Sequence, residues 1–144
     1  MKTLFIIILS VFGLNAIAQN KASGFYRGII TQNAGGLATE YVMELNITFK
    51  SQGEIIGTSF FKLLDSEDVF VKYSFIGTLE GDKVTIYEKS IDEEQNREGY
   101  YFCLKKMNME LIRRGYEYFM EGSWSSSNCP DAQGFIKIKK EEIF

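Results

Sequence analysis

Residues 41–64 read YVMELNITFKSQGEIIGTSFFKLL, and this stretch decides the fold. Tyr41, Met43, Leu45, Ile47 and Phe49 are apolar at a strict spacing of two, while Val42, Glu44, Asn46 and Thr48 between them are mostly polar. That period belongs to a β-strand with one buried face. Ser51-Gln52-Gly53 follows as a turn, with Gly53 able to take the positive φ that a three-residue hairpin requires. The turn pairs Lys50 with Glu54 and Phe49 with Ile55, so Met43 meets Phe61 and Tyr41 meets Leu63 on the inner face. A slip of one residue would put Lys50 opposite Ile55 and scramble both faces, so the register is well specified.

Working outward, the same alternation predicts six further strands. The first runs from Gly24 to Thr31, with Tyr26, Gly28 and Ile30 on one face. The fourth runs from Val69 to Glu80, and Gly81-Asp82 turns it into the fifth, Lys83 to Ser90, which points Val84, Ile86 and Glu88 inward. The sixth spans Gly99 to Arg113 and changes phase: Phe102 and Leu104 share a face that Met107, Met109 and Leu111 rejoin after an odd step. A β-bulge near Lys105-Lys106 would reconcile them. Arg114-Gly115 then turns into a seventh strand, Tyr116 to Trp124, and the eighth is Gly134 to Lys140. No segment has a helical period with caps. The tight turns fall after alternate strands, and the longer segments 32–39, 64–68, 91–98 and 125–133 fall between them. An antiparallel eight-stranded up-and-down meander places these two sets at opposite ends, and closing it into a β-barrel removes the exposed edges. Such a barrel holds packed side chains or one small ligand.

The first residues stand apart from this pattern. Lys2, the apolar run Leu4 to Leu14, and Ala16-Ile17-Ala18 have the form of a secretory signal peptide, with cleavage between Ala18 and Gln19. The domain plan is therefore a signal peptide over 1–18 and a single β-barrel over 19–144. The expected location is the periplasm or the exterior of a bacterial cell, with no membrane-spanning run. The net charge of −3 argues against non-specific nucleic-acid binding, which needs a basic footprint. In an exported chain, Cys103 and Cys129 read as a disulfide. With Cys103 on the outer face beside Tyr101, the bridge would clip the 125–133 loop to the outside of the sheet.

Architecture also carries a resemblance. The strand order, the alternating loop lengths and Gly24-Phe25-Tyr26 opening the first strand resemble the lipocalin and avidin group of barrels. Tyr26 stands where lipocalins have the Trp of a Gly-x-Trp run, and Arg113-Arg114-Gly115-Tyr116 stands where they have Thr-Asp-Tyr. The resemblance implies a calycin-type barrel and does not transfer a ligand.

The chain has no histidine, which excludes Ser-His-Asp and Cys-His catalysis and histidine-ligated metals; no cofactor is implied. The serines 123 and 125–127 have no evident base and read as a polar loop. Glu40, Asp65, Glu67, Asp68, Asp92, Glu93, Glu94, Glu98 and Asp131 fall in or beside the mouth loops, an acidic rim that serves solubility or attracts a cationic partner. On the inner face near the mouth stand Tyr41, Glu88, Phe102 and Trp124, the candidate ligand-binding residues. Trp124 and the tyrosines supply contact area, and Glu88 an orienting hydrogen bond. Glu88 at the frayed end of its strand, in water, is the competing reading. Inward-facing Gly57 and Ser59 either leave a void for a ligand or let the strands bend. Two functions lead: non-catalytic binding of a small apolar or amphipathic molecule, and docking of an envelope protein on the acidic loops of a filled barrel; an enzyme using paired carboxylates among Asp92, Glu93, Glu94 and Glu98 comes third.

Overall fold

The alternation of residues 41–49 becomes β2 (Glu40–Phe49), which hairpins into β3 (Glu54–Leu63). Phe49 faces Ile55, Met43 faces Phe61 and Tyr41 faces Leu63, the expected register. Gly53 takes the positive φ at 73°, and Gln52 takes one as well, at 62°. The Lys50 amide closes the turn on the Glu54 carbonyl at 2.8 Å. The structure, a computed structural model, describes residues 21–142. The signal-peptide reading and the Ala18–Gln19 cleavage point lie outside the described residues.

The remaining strands are β1 (Gly24–Thr31), β4 (Phe70–Glu80), β5 (Lys83–Gln95), β6 (Lys105–Arg114), β7 (Glu117–Ser126) and β8 (Gln133–Lys140). Each pairs antiparallel with its sequence neighbour, and β1 pairs with β8, so the eight strands close a barrel. Tyr26, Met43, Leu45, Ile47, Ile55, Val84, Ile86, Met107, Met120 and Ile138 turn inward and are essentially fully buried. Each such side chain stabilises the fold by roughly 1.5–3 kcal/mol. The outer face is largely polar, the reverse of the apolar exterior of a transmembrane barrel. Among the described residues no helix is long and apolar enough to cross a membrane.

Several boundaries differ from the sequence reading, and three of the differences bear on the site. First, β5 does not stop at Ser90 but continues to Gln95 along β4, with register shifts between Lys72 and Tyr73 and between Ser74 and Phe75. Asp92, Glu93 and Glu94 are therefore strand residues rather than loop residues. Second, β6 begins at Lys105, not Gly99, and pairs regularly with both neighbours. The phase change at Lys105-Lys106 marks the start of the strand and not a bulge. Third, Gly115 and Tyr116 form the sixth turn, with Arg114 opposite Glu117, because Gly115 supplies its positive φ of 65° at the first turn position.

Gly57 leaves no void. A Cβ there would lie 2.5 Å from the Phe75 ring and 2.1 Å from the Asn46 carbonyl oxygen, so Phe75 occupies the space the missing side chain provides. The same end of the barrel, where the tight turns lie, is capped by the segment before β1. Ala22 in that segment is fully buried, and the Tyr26 hydroxyl donates to its carbonyl at 2.7 Å.

Candidate functional site

A cavity of about 510 Å³ opens at the loop end. Its depth follows from the strand rungs. Ile30 on β1, Tyr41 on β2, Phe61 on β3, Val71 on β4 and Trp124 on β7 line it. The next inward residues down β2 and β4, Met43 and Tyr73, are fully buried and close it from below. On the remaining side β5 contributes nothing to the wall. The irregular segment between β5 and β6 takes its place, with Gly99, Tyr100, Tyr101, Phe102 and Cys103 facing the cavity.

That segment is pinned at three points. Cys103 and Cys129 form the expected disulfide, with Cα atoms 5.8 Å apart. The Tyr73 hydroxyl donates to the Cys103 carbonyl at 2.8 Å, and the Leu104 amide donates to the Asn128 side chain at 2.9 Å. The bridge does not sit on the outside of the sheet. Both half-cystines are partly buried against the core and line the cavity, because residue 103 precedes β6 and obeys no strand alternation.

Of the sequence candidates, Tyr41, Phe102 and Trp124 line the cavity and Glu88 does not. The Tyr41 hydroxyl accepts from the amides of Leu37 and Ala38, both at 3.0 Å, and so fixes the first mouth loop. The Trp124 indole donates to the Thr31 carbonyl at 2.8 Å, tying β7 to the end of β1. Glu88 is only 5% exposed and stands behind Lys105, neither frayed into water nor facing a ligand. Its carboxylate accepts from the Ser59 hydroxyl at 2.8 Å, the Lys105 amide at 2.8 Å and the Lys105 ammonium at 3.2 Å.

Lys105 is the residue the sequence reading missed. Continuing the pairs Ile86–Met107 and Tyr87–Lys106 by one step brings Lys105 opposite Glu88, on the inner face. Its ammonium lies 4.0 Å from the centre of the Phe61 ring and 4.4 Å from that of Tyr73, with Trp124 at 5.8 Å. It also donates to the Cys103 carbonyl at 3.2 Å. A carboxylate, a carbonyl and aromatic faces thus replace its water, a combination that offsets the cost of burying a charge. Burial pushes the Glu88 carboxyl above its ordinary value against the pull of Lys105, and lowers the Lys105 ammonium against the pull of Glu88. The signal was available: Lys105 is in phase with Met107 and Met109 once the strand is taken to begin there.

The acidic rim is partly spoken for. Asp68 pairs with Arg97 at 3.3 Å, Glu67 with Lys62 at 3.7 Å, and Asp92 accepts from the Ser74 hydroxyl at 2.6 Å. Among the described residues no cluster of three or more acidic or cysteine side chains is arranged to hold a metal. Comparison with protein-family models, with curated proteins and with solved structures found no match to this chain.

Proposed function

We propose that the protein binds a small apolar or amphipathic molecule in the cavity at the loop end, as a binder rather than a catalyst. The observation that carries this reading is the cavity itself, whose size falls in the range of about 300–1,000 Å³ usual for ligand sites. Its walls are aromatic and aliphatic. Tyr41, Phe102 and Trp124 supply the contact area, and Lys105, not Glu88, reaches the cavity from the core side, with Gln32, Lys62, Asn96 and Asp131 also on its lining. Glu88 acts through Lys105, holding the ammonium in place. The closed meander, the loop lengths and Gly24-Phe25-Tyr26 support a calycin-type kinship, which rests on architecture alone. The disulfide is compatible with export to the periplasm or beyond.

Trp124 is the one tryptophan in the chain, so it reports on this site without labelling. Titration with the neutral probe N-phenyl-1-naphthylamine is expected to quench Trp124 and to saturate at one probe per chain. Phe102→Ala, on the half-buried wall, is expected to weaken binding while leaving the fold intact. A Trp124 signal that stays flat across the titration would overturn the reading.

A further inference from the structure

The barrel is closed, yet one stretch of strand has an open edge. β5 pairs with β4 from Lys83–Glu80 to Gln95–Phe70, with Lys89 and Asp92 as the extra residues at two register shifts. Its other edge pairs with β6 only from Lys83 to Tyr87. The ladder ends at Glu88, whose carboxylate, rather than a backbone carbonyl, takes the Lys105 amide. Beyond it Lys89, Ser90, Ile91, Asp92, Glu93, Glu94 and Gln95 are all exposed, and no strand among the described residues pairs with their outer edge. At about 3.3 Å per residue this is an edge of roughly 20 Å. The returning chain would have covered it, but the disulfide to Cys129 and the Tyr73 hydroxyl hold residues 99–103 on the cavity wall instead.

We infer that the free edge of β5, residues 89–95, is a docking site for an extended basic segment of another protein, which adds to the sheet as a further strand. Edge addition supplies affinity through main-chain hydrogen bonds and specificity through side chains. The choice of partner follows from charge. Asp92, Glu93 and Glu94 stand in a row, Asp92 is held in place by Ser74 and Ser90, and Arg97 is already engaged by Asp68. A second copy laid antiparallel and centred on Asp92 would set Asp92 against its own counterpart, and like charges across a strand pair are destabilising; in other registers Lys89, the one cation of this edge, answers only one of its three acids. Lysines or arginines at alternate positions of an incoming strand lie on one face of the sheet and would meet the acids of that face with the opposite sign. The inference does not depend on the cavity or on any ligand in it.

The test uses the whole protein and two synthetic octapeptides, one alternating lysine with valine and one alternating glutamate with valine. The lysine peptide is expected to bind saturably, to protect backbone amides within residues 89–95 from hydrogen exchange, and to bind roughly tenfold more weakly in high salt. Glu93→Lys combined with Glu94→Lys is expected to abolish binding, with the thermal transition unchanged because both side chains are exposed. Absence of binding, equal binding of the glutamate peptide, protection elsewhere but not at 89–95, or protection of 89–95 by self-association would each overturn the inference.

Discussion

At the turn end of the barrel Leu45, Ile47, Phe49, Ile55 and Phe75 meet in the middle and leave no room; at the loop end the same strands surround about 510 Å³ of space. The strands do not differ in kind between the two ends. What differs is the chain that joins them. Turns of two or three residues bring neighbouring strands together at once, so every inward rung is opposed by another. At the loop end the connections are long, β5 runs past the ladder, and the return to β6 is an irregular segment tied sideways to the 127–132 loop by a disulfide. A filled core is therefore the default of this meander, and the hollow is made by holding one connection away from its strand. Glu88 and Lys105 mark the border, where apolar packing gives way to a buried charged pair.

The border pair offers the largest effect. Lys105→Met removes the ammonium and leaves a carboxylate that only Ser59 and one amide still satisfy, a change expected to cost about 3–5 kcal/mol at neutral pH. The pH dependence gives the sign. Burial has already raised the Glu88 carboxyl, and losing Lys105 removes the charge that opposed the rise. Between its unfolded and folded values the native state then binds a proton that the unfolded chain does not, so stability falls as pH rises through that window. Urea unfolding of Lys105→Met from acid to neutral pH should show full stability only below the ordinary glutamate range. A variant as stable as the parent at neutral pH would mean that the pair does not hold the border.

Reducing the Cys103–Cys129 bridge, or replacing both residues with serine, is expected to cost about 3–4 kcal/mol on the chain-entropy account of a 26-residue separation. The comparison between the ends sharpens the expectation. Amides of residues 96–104 and 127–132 should lose exchange protection, while those around Leu45, Phe75 and Met109 should change only with global stability. Uniform loss across both ends would mean that the bridge stiffens the whole barrel and not the mouth alone.

The same contrast explains what could be read in advance. The hairpin register from Tyr41 to Leu63 was legible because one face is apolar without interruption and Gly53 fixes the turn, so only one pairing buries every rung. Tyr41, Phe102 and Trp124 were legible as mouth residues because large apolar side chains near long loops have one place to go. Lys105 was not, because a lysine beside a second lysine at a break in phase reads as surface. Alternation back from Met107 and Met109 places it inward only once the strand is taken to begin at Lys105, and its charge is tolerated there because Glu88 arrives opposite it from another strand. The end of β5 was hidden for a related reason: Asp92, Glu93 and Glu94 have low strand propensity, and it is the pairing of Glu93, Glu94 and Gln95 with Lys72, Val71 and Phe70 that carries the strand on.

Tyr41 carries the smallest effect and the most local one. Its ring lines the cavity, and its hydroxyl accepts two backbone amides of the 32–39 loop at once. Tyr41→Phe keeps the ring and strips both amides of their partner, at an expected cost of about 1–2 kcal/mol, reduced to the extent that water replaces the hydroxyl. The thermal midpoint should drop by a few degrees, and the amides of Leu37 and Ala38 should exchange freely. If the mouth is a site whose shape depends on that loop, N-phenyl-1-naphthylamine should also bind less tightly to Tyr41→Phe, although the apolar wall is untouched. If only the amides respond and the probe does not, the loop is a cover held in place for stability, and the wall from Ile30 to Trp124 defines the cavity without it.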